Sequence, residues 1–321
     1  VCNYGSFLQA YGLKKIIEEL GHEVVFVDYK IGKPDNASNN KRKYYKSIVR
    51  EKVMNTAIKC IDIIPFASEE QKYSMKFKKR YQKEFLPILG VSTKKTYNLQ
   101  VDTLVIGSDE VFNCLQDNVA VGFSPELFGY NNKSKRLISY AASFGNTTLD
   151  GLIEAEKYNV VERFLKRFDA ISVRDKNSHE IVHTLTKYEP EYNMDPVLMY
   201  DFSKEIIEKS FCKNYIVVYA YRNRLSANEK SAICEFARKE RKKIIAIGGY
   251  QDFCDECIQG SPFEILGYIK NADYVITDTF HGTIFSVISQ KKFATFIRSG
   301  HGATYGNYEK LMDLLNRLEL G

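Results

Sequence analysis

Hydrophobic and polar positions along this chain follow two alternating rhythms. Phe7, Leu8, Tyr11, Leu13, Ile16, Ile17 and Leu20 recur at helical spacing until Gly21, which predicts a helix over Ser6–Leu20 closed by a glycine cap. A strand-like run, EVVFVD, follows at 23–28. Further along, the pattern predicts strands at 103–106 and 137–141, a helix over 150–168, a strand at 170–173 and a helix over 175–186. Asp195-Pro196 interrupts the alternation, and 195–212 reads as a connector. Beyond it come strand 215–220, helix 226–240, strand 243–248, helix 262–271, strand 274–277, helix 282–290, strand 292–297 and helix 307–318.

Alternation of this kind predicts parallel sheets with crossover helices. The expected fold class is α/β, with two Rossmann-like domains facing each other across a cleft. Residues 1–200 form the expected N-terminal domain, with a basic helical insertion at about 40–86, and 201–321 the C-terminal one. In such sheets ligands bind beyond the carboxyl ends of the strands, where helix N-termini point.

Composition changes this picture only in part. A chain of 321 residues with 44% hydrophobic and 27% charged content can bury a sizeable core without cross-links. No apolar run approaches ~18–20 residues and no signal peptide is visible, so a soluble, intracellular protein is expected. Seven cysteines form no spaced framework. Cys254-Asp-Glu-Cys257 has zinc-knuckle spacing but lacks a second ligand pair, so two free thiols in a loop is the better reading.

Charge is less evenly spread. Lys and Arg exceed Asp and Glu by 46 to 40, and the excess gathers at 41–59 and 72–83, with Tyr, Phe and Met interleaved. A solvated helix face is the plain account; attraction to anionic lipid, polymer or a lipid-linked diphosphate is the sharper one. No nucleic-acid-binding motif accompanies the charge.

Four segments at strand or helix ends carry chemistry. Asn3-Tyr-Gly5-Ser6 opens the first helix, where free backbone N–H groups suit an anion, and Gln9 lies one turn on; an ordinary capped start fits equally. Gly107-Ser108-Asp109-Glu110 leaves a strand end with two adjacent carboxylates, able to divide acid and base roles or to cap a helix. Arg174-Asp175 follows another strand, offering a planar fork to a carboxylate or phosphate, or a structural ion pair. Finally, strand 274–277 runs into Asp278-Thr279-Phe280-His281-Gly282-Thr283. An imidazole there can give and take a proton at neutral pH, beside a helix N-terminus that attracts an anion; a histidine that caps the helix and binds nothing is the plain alternative.

Taken together, these motifs give the chain a resemblance to the polysaccharide pyruvyl transferase family. The matching segments are Asn3 through Leu13, Gly107 through Asn113, Tyr140-Ala-Ala-Ser-Phe-Gly145, Ile171-Ser-Val-Arg-Asp175, Asp195-Pro196 and Ala272 through Thr283. The family usually has Gln at Glu110, Trp at Phe112 and Tyr-Ala-Leu at Tyr11-Gly-Leu13, and it carries a strand ahead of Asn3. The resemblance implies a glycosyltransferase-B-like pair of domains. It also implies transfer of the pyruvyl group of phosphoenolpyruvate onto two hydroxyls of one sugar as a cyclic ketal, in a polysaccharide or its lipid-linked precursor.

On that basis His281, Arg174 and Asp109 are the expected catalytic residues. Gly282, Thr283, Thr279, Asn3 and Gly5 are expected at the donor, and Glu110, Asn113, Gln9 and Ser108 at the acceptor. No cofactor or metal is expected, and the partners implied are phosphoenolpyruvate and a glycan, with peripheral contact to the cytoplasmic membrane face. A nucleotide-sugar glycosyltransferase, or a non-catalytic glycan-binding protein of an assembly complex, is the alternative.

Overall fold

The computed structural model describes residues 2–32, 49, 68–92, 94–97, 99–116, 121–208, 213–298 and 308–320. The basic segment 41–59 therefore lies outside the described residues, apart from position 49. The first helix, α1, spans Tyr4–Glu19 and is capped by Asn3, whose side chain accepts from the Ser6 N–H at 2.7 Å. A second helix, α2 (Glu69–Arg80), carries a Ser68/Gln71 capping box and continues into a short π-helical turn. It covers the first part of the predicted 72–83 segment.

Strands β1 (Thr103–Ile106) and β2 (Arg136–Ser139) pair in parallel, as do the two-residue strands β3 (Ser172–Val173) and β4 (Glu191–Tyr192). Between β2 and β3 the ladder is partly made by side chains. The Ser139 hydroxyl donates to the Ser172 carbonyl, and the Ser172 hydroxyl to the Ser139 carbonyl. These buried hydroxyls explain why regular strand is shorter here than the apolar run 170–173 suggests. The expected helix 150–168 is two helices, α3 (Leu149–Glu154) and α4 (Tyr158–Leu165). Glu156 sits between them at φ 55°, a left-handed conformation that ends α3. Helix α5 (Lys176–Thr186) starts from Asp175, as its sequence predicts.

Among the described residues the expected strand at 23–28 takes no ladder. In that segment the Asp28 N–H donates to the Thr96 carbonyl. After the short helix α6 (Pro196–Met199), five parallel strands form one sheet: β5 (Tyr215–Tyr219), β6 (Lys243–Ile247), β7 (Glu256–Ile258), β8 (Tyr274–Thr277) and β9 (Lys292–Thr295). Their order is β7-β6-β5-β8-β9. The sequence pattern did not show β7, which follows Cys254 and places Cys257 on a strand instead of in a loop; both thiols are free.

Helices cover both faces of this sheet. One face packs α7 (Ala227–Glu240) through Ile233 and Ala237. The other packs α8 (Pro262–Asn271), α9 (Phe280–Ile288) and α10 (Tyr308–Arg317). Tyr4, Phe7, Leu8 and Tyr11 of α1 belong to this same apolar cluster, together with Tyr215, Val217 and Tyr219 of β5. The N-terminal helix thereby shares a core with the C-terminal sheet. The second core lies around β1–β3, where Phe112 stacks on Phe128 at 4.8 Å. Phe112 is thus a packing residue. Among the described residues no helix is long and apolar enough to cross a membrane.

Candidate active site

The five-stranded sheet reverses its winding between β5 and β8, and a ligand is expected beyond the carboxyl ends of such a strand pair. Thr277-Asp278-Thr279-Phe280-His281 leaves β8 at that point. Helix α9 begins two residues earlier than the pattern predicts, because Thr279 is its N-cap and accepts from the Gly282 N–H at 2.9 Å. His281 therefore stands in the first turn of α9. Gly282 is required there, since a Cβ would approach the Thr277 hydroxyl to 2.1 Å.

Helix α1 supplies the other wall. A Cβ on Gly5 would lie 2.4 Å from both Cγ and Nδ1 of His281. The glycine of the Asn-Tyr-Gly segment thus admits the imidazole against the first turn of α1. Gly5→Ala is expected to gain about 1 kcal/mol of helix propensity while driving the ring out of place. Displacement of about 1 Å costs roughly 100-fold in turnover. Circular dichroism should be unchanged and turnover low; wild-type turnover would remove Gly5 from the site.

Asp195 is the hub that the sequence reading left in a connector. It caps α6, its Oδ1 accepting from the Val197 N–H at 3.0 Å, with Pro196 in the first turn. Its Oδ2 accepts from Gln9 Nε2 at 2.5 Å and from an Arg174 terminal nitrogen at 3.2 Å, and lies 3.6 Å from His281 Nε2. Three predicted residues from three elements therefore meet on one oxygen. Burial works against the Asp195 charge, but His281, Arg174 and the Val197 N–H outweigh it and hold the carboxyl at about 2. The one sequence signal for Asp195 was its place in the Asp-Pro motif.

Arg174 is almost wholly buried, and its fork reaches Asp195 on one side and Asp109 at 3.5 Å on the other. Its guanidinium lies 4.8 Å from the Phe280 ring centre. Burial opposes its charge, yet Asp109, Asp195, Asp175 and Glu110 raise its pKa above the ordinary value. Asp175 is spent as the α5 cap, as expected. Two buried nitrogens of this cluster have no hydrogen-bond partner: Arg174 Nε and His281 Nε2. Buried polar atoms without partners are rare, and here they sit together at a switch point.

Asp109 occupies the loop after β1 at φ 92°, a conformation costing on the order of 1–3 kcal/mol. Ser6 donates to its Oδ2 at 3.1 Å, and the Ser143 N–H donates to its carbonyl. Ser108 accepts from Gln9 at 2.8 Å. Glu110 pairs with Lys310 of α10 at 2.7 Å and accepts from Asn113 at 3.0 Å. The Lys310 charge, opposed by burial, holds Glu110 at about 2.

Linkage gives these two carboxyls a pH signature. Each is depressed from an ordinary value near 4 to about 2, so its stabilisation is complete above the ordinary value and is lost as pH falls toward 2. Lys310→Met is expected to flatten the Glu110 part of that loss. Urea midpoints compared between pH 5 and pH 2 check it; parallel curves for the two proteins would contradict the pairing.

Several predicted positions serve the scaffold. Asn113 uses all its hydrogen-bonding capacity within the loop, donating to Glu110 and Asn146 and accepting from Thr147 and the Leu115 N–H. Thr279 and Thr283 likewise bond each other's turn and Thr295. The Gly282 N–H expected to meet the donor is taken by Thr279, and Asn3 is taken by Ser6. Lys310, which sequence reading missed, arrives from a helix some 200 positions away. Among the described residues no group of three His, Cys, Asp or Glu side chains is placed to hold a metal ion.

A buried Arg–Asp–His cluster thus lies at the switch point of a parallel α/β sheet, where ligands of such folds bind. The polysaccharide pyruvyl transferase family matches residues 3–300, and the chain belongs to that family. No curated protein matches the chain. Similar solved structures include a co-structure of MnaA with UDP from S. aureus. That protein is 11% identical with a TM-score of 0.43, over 67% of this chain and 68% of that one. Another is a chain from Listeria monocytogenes described as a UDP-N-acetylglucosamine 2-epimerase, 10% identical with a TM-score of 0.41, over 62% of this chain and 58% of that one.

Proposed function

We propose that this site moves the pyruvyl group of phosphoenolpyruvate onto two hydroxyls of one sugar, releasing phosphate and forming a cyclic ketal. The observation that carries the reading is the buried Arg174 fork, whose Nε has no hydrogen-bond partner, beside His281 in a member of this family. A small dianionic donor with a carboxylate and a phosphate suits a buried cation fork. The two α/β units, 1–200 and 201–321, then frame a cleft of the glycosyltransferase-B kind, with α1 bridging them.

In this reaction the methylene carbon of the donor takes a proton and becomes a methyl group. The oxocarbenium-like centre left at the neighbouring carbon is attacked by one sugar hydroxyl. Phosphate then departs, and the second hydroxyl closes the ring. One of the two hydroxyl protons balances the proton gained by the methyl group, and the other leaves with phosphate. His281 delivers the proton, while Arg174 binds donor charge. Asp109, adjacent to Arg174 and partly exposed, is placed to accept a hydroxyl proton. Gln9 and Ser108 form the polar floor beside it. Lysines 72, 76 and 83 on exposed faces at α2 suit an acceptor carried on an anionic lipid diphosphate.

Thermal shift separates this from nucleotide-sugar transfer. Phosphoenolpyruvate at concentrations above its dissociation constant should raise Tm, and Arg174→Lys should lose that shift. A rise with a nucleotide sugar and none with phosphoenolpyruvate would overturn the donor assignment.

A further inference from the structure

The imidazole of His281 is held between two unlike surfaces. On one side is the Asp195 carboxylate, 3.6 Å from Nε2 and buried to the last few per cent. On the other is the bare Cα of Gly5, at the first turn of α1, next to Nδ1. Phe280 and Phe285 flank the ring, with centroids at 5.5 and 6.1 Å. Arg174 bonds the same carboxylate, with Asp109 on its far side.

An ionised carboxylate only accepts hydrogen bonds. A bare Nε2 lone pair turned toward it would meet two negative ends at close range, in a place that water does not reach. A protonated Nε2 turns the same contact into an attraction. Gln9, Arg174 and the Val197 N–H already fix the carboxylate, so Asp195 cannot turn away to relieve a wrong tautomer. At 3.6 Å the contact lies just outside hydrogen-bond distance, and contacts of this type shorten when substrate is bound.

We infer that Asp195 is a positioning residue that fixes the proton on Nε2 of His281, so that Nδ1, beside Gly5, is the nitrogen that exchanges a proton with the substrate. This rests on the pyruvyl-transfer reading for the identity of the substrate but not for the tautomer. It also gives Gly5 a second purpose: a side chain there would cover the working nitrogen. The donor's methylene carbon is accordingly expected at the N-terminal end of α1, not between His281 and Asp195.

Long-range proton–nitrogen correlation spectra of the isotopically labelled chain, recorded without donor or acceptor, read the protonated nitrogen directly. The chain has five histidines, and the His281 signals are those lost in His281→Gln. The expected result is a protonated Nε2 and a bare Nδ1. In Asp195→Ala both tautomers should be populated, and kcat should fall about 100-fold or more while KM changes far less. Asp195→Glu should restore part of both. If the alanine variant does not fold, Asp195→Asn keeps the shape, and its amide, able to donate to a bare Nε2, should populate the Nδ1-protonated tautomer and lower kcat. A bare Nε2 in the wild type, or an unchanged tautomer and turnover in the folded variant, overturns the assignment. Absent phosphate release with the tautomer intact would instead contradict pyruvyl transfer alone.

Discussion

His281→Ala is expected to abolish phosphate release from phosphoenolpyruvate while leaving the fold in place. The loss should lie at about 100- to 10,000-fold in kcat, the range for a positioned acid–base group. Folding should survive because Asp195 keeps three other hydrogen bonds: from Gln9, Arg174 and the Val197 N–H. Asp195 loses the His281 contact but not these three bonds, and α9 keeps its Thr279 cap. Coupled phosphate assays with an acceptor present, beside a urea titration, check both halves. Turnover within a few-fold of wild type would show that the proton comes from elsewhere.

Arg174→Met should damage stability and activity together. Removing one partner of a buried ion pair costs roughly 3–5 kcal/mol, because the carboxylate left behind has lost its charge partner in a dry site. Asp195 is 2% exposed, so solvent does little to compensate it. Arg174→Lys is the sharper variant. It restores the charge but not the fork that spans Asp195 and Asp109, and a lysine is a point charge on a flexible stem. Stability should return in part and donor binding should not. A methionine variant within 1 kcal/mol of wild type by urea unfolding would mean the cluster is not stabilised by charge pairing.

Sequence patterning read the C-terminal sheet well because its central strands are apolar on both faces. Tyr215–Tyr219 is buried at every position, and such a run has one sensible reading. The N-terminal half was less legible for physical reasons. Ser139 and Ser172 use hydroxyls where a strand would use backbone groups, and Glu156 breaks a helix through a left-handed turn that its residue type does not announce. Strand β7 is three residues long and half-buried, too short to show a period.

The candidate site divides in the same way. His281, Arg174 and Gln9 stood out by their place next to an element end, and the structure brings them to one carboxylate. Asp195 did not stand out, because its importance is its contacts with residues 186 positions before it and 86 after it. Glu110, expected at the acceptor, has Lys310 beside it, a partner some 200 positions away that no local pattern shows. Thr279 is a helix cap, and Asn113 and Thr283 bond within their own loop and turn, which a linear motif cannot tell apart from ligand contacts.

The central claim is that this chain moves a pyruvyl group from phosphoenolpyruvate to a sugar at His281 and Arg174. Mass spectrometry of free and lipid-linked candidate glycans incubated with phosphoenolpyruvate tests it most directly, with phosphate measured in the same tubes. The account predicts a pyruvyl mass increment on one acceptor class, one phosphate released per increment, and neither with His281→Ala. Phosphate release with no glycan gain, or a glycosyl increment from a nucleotide sugar instead, would contradict it.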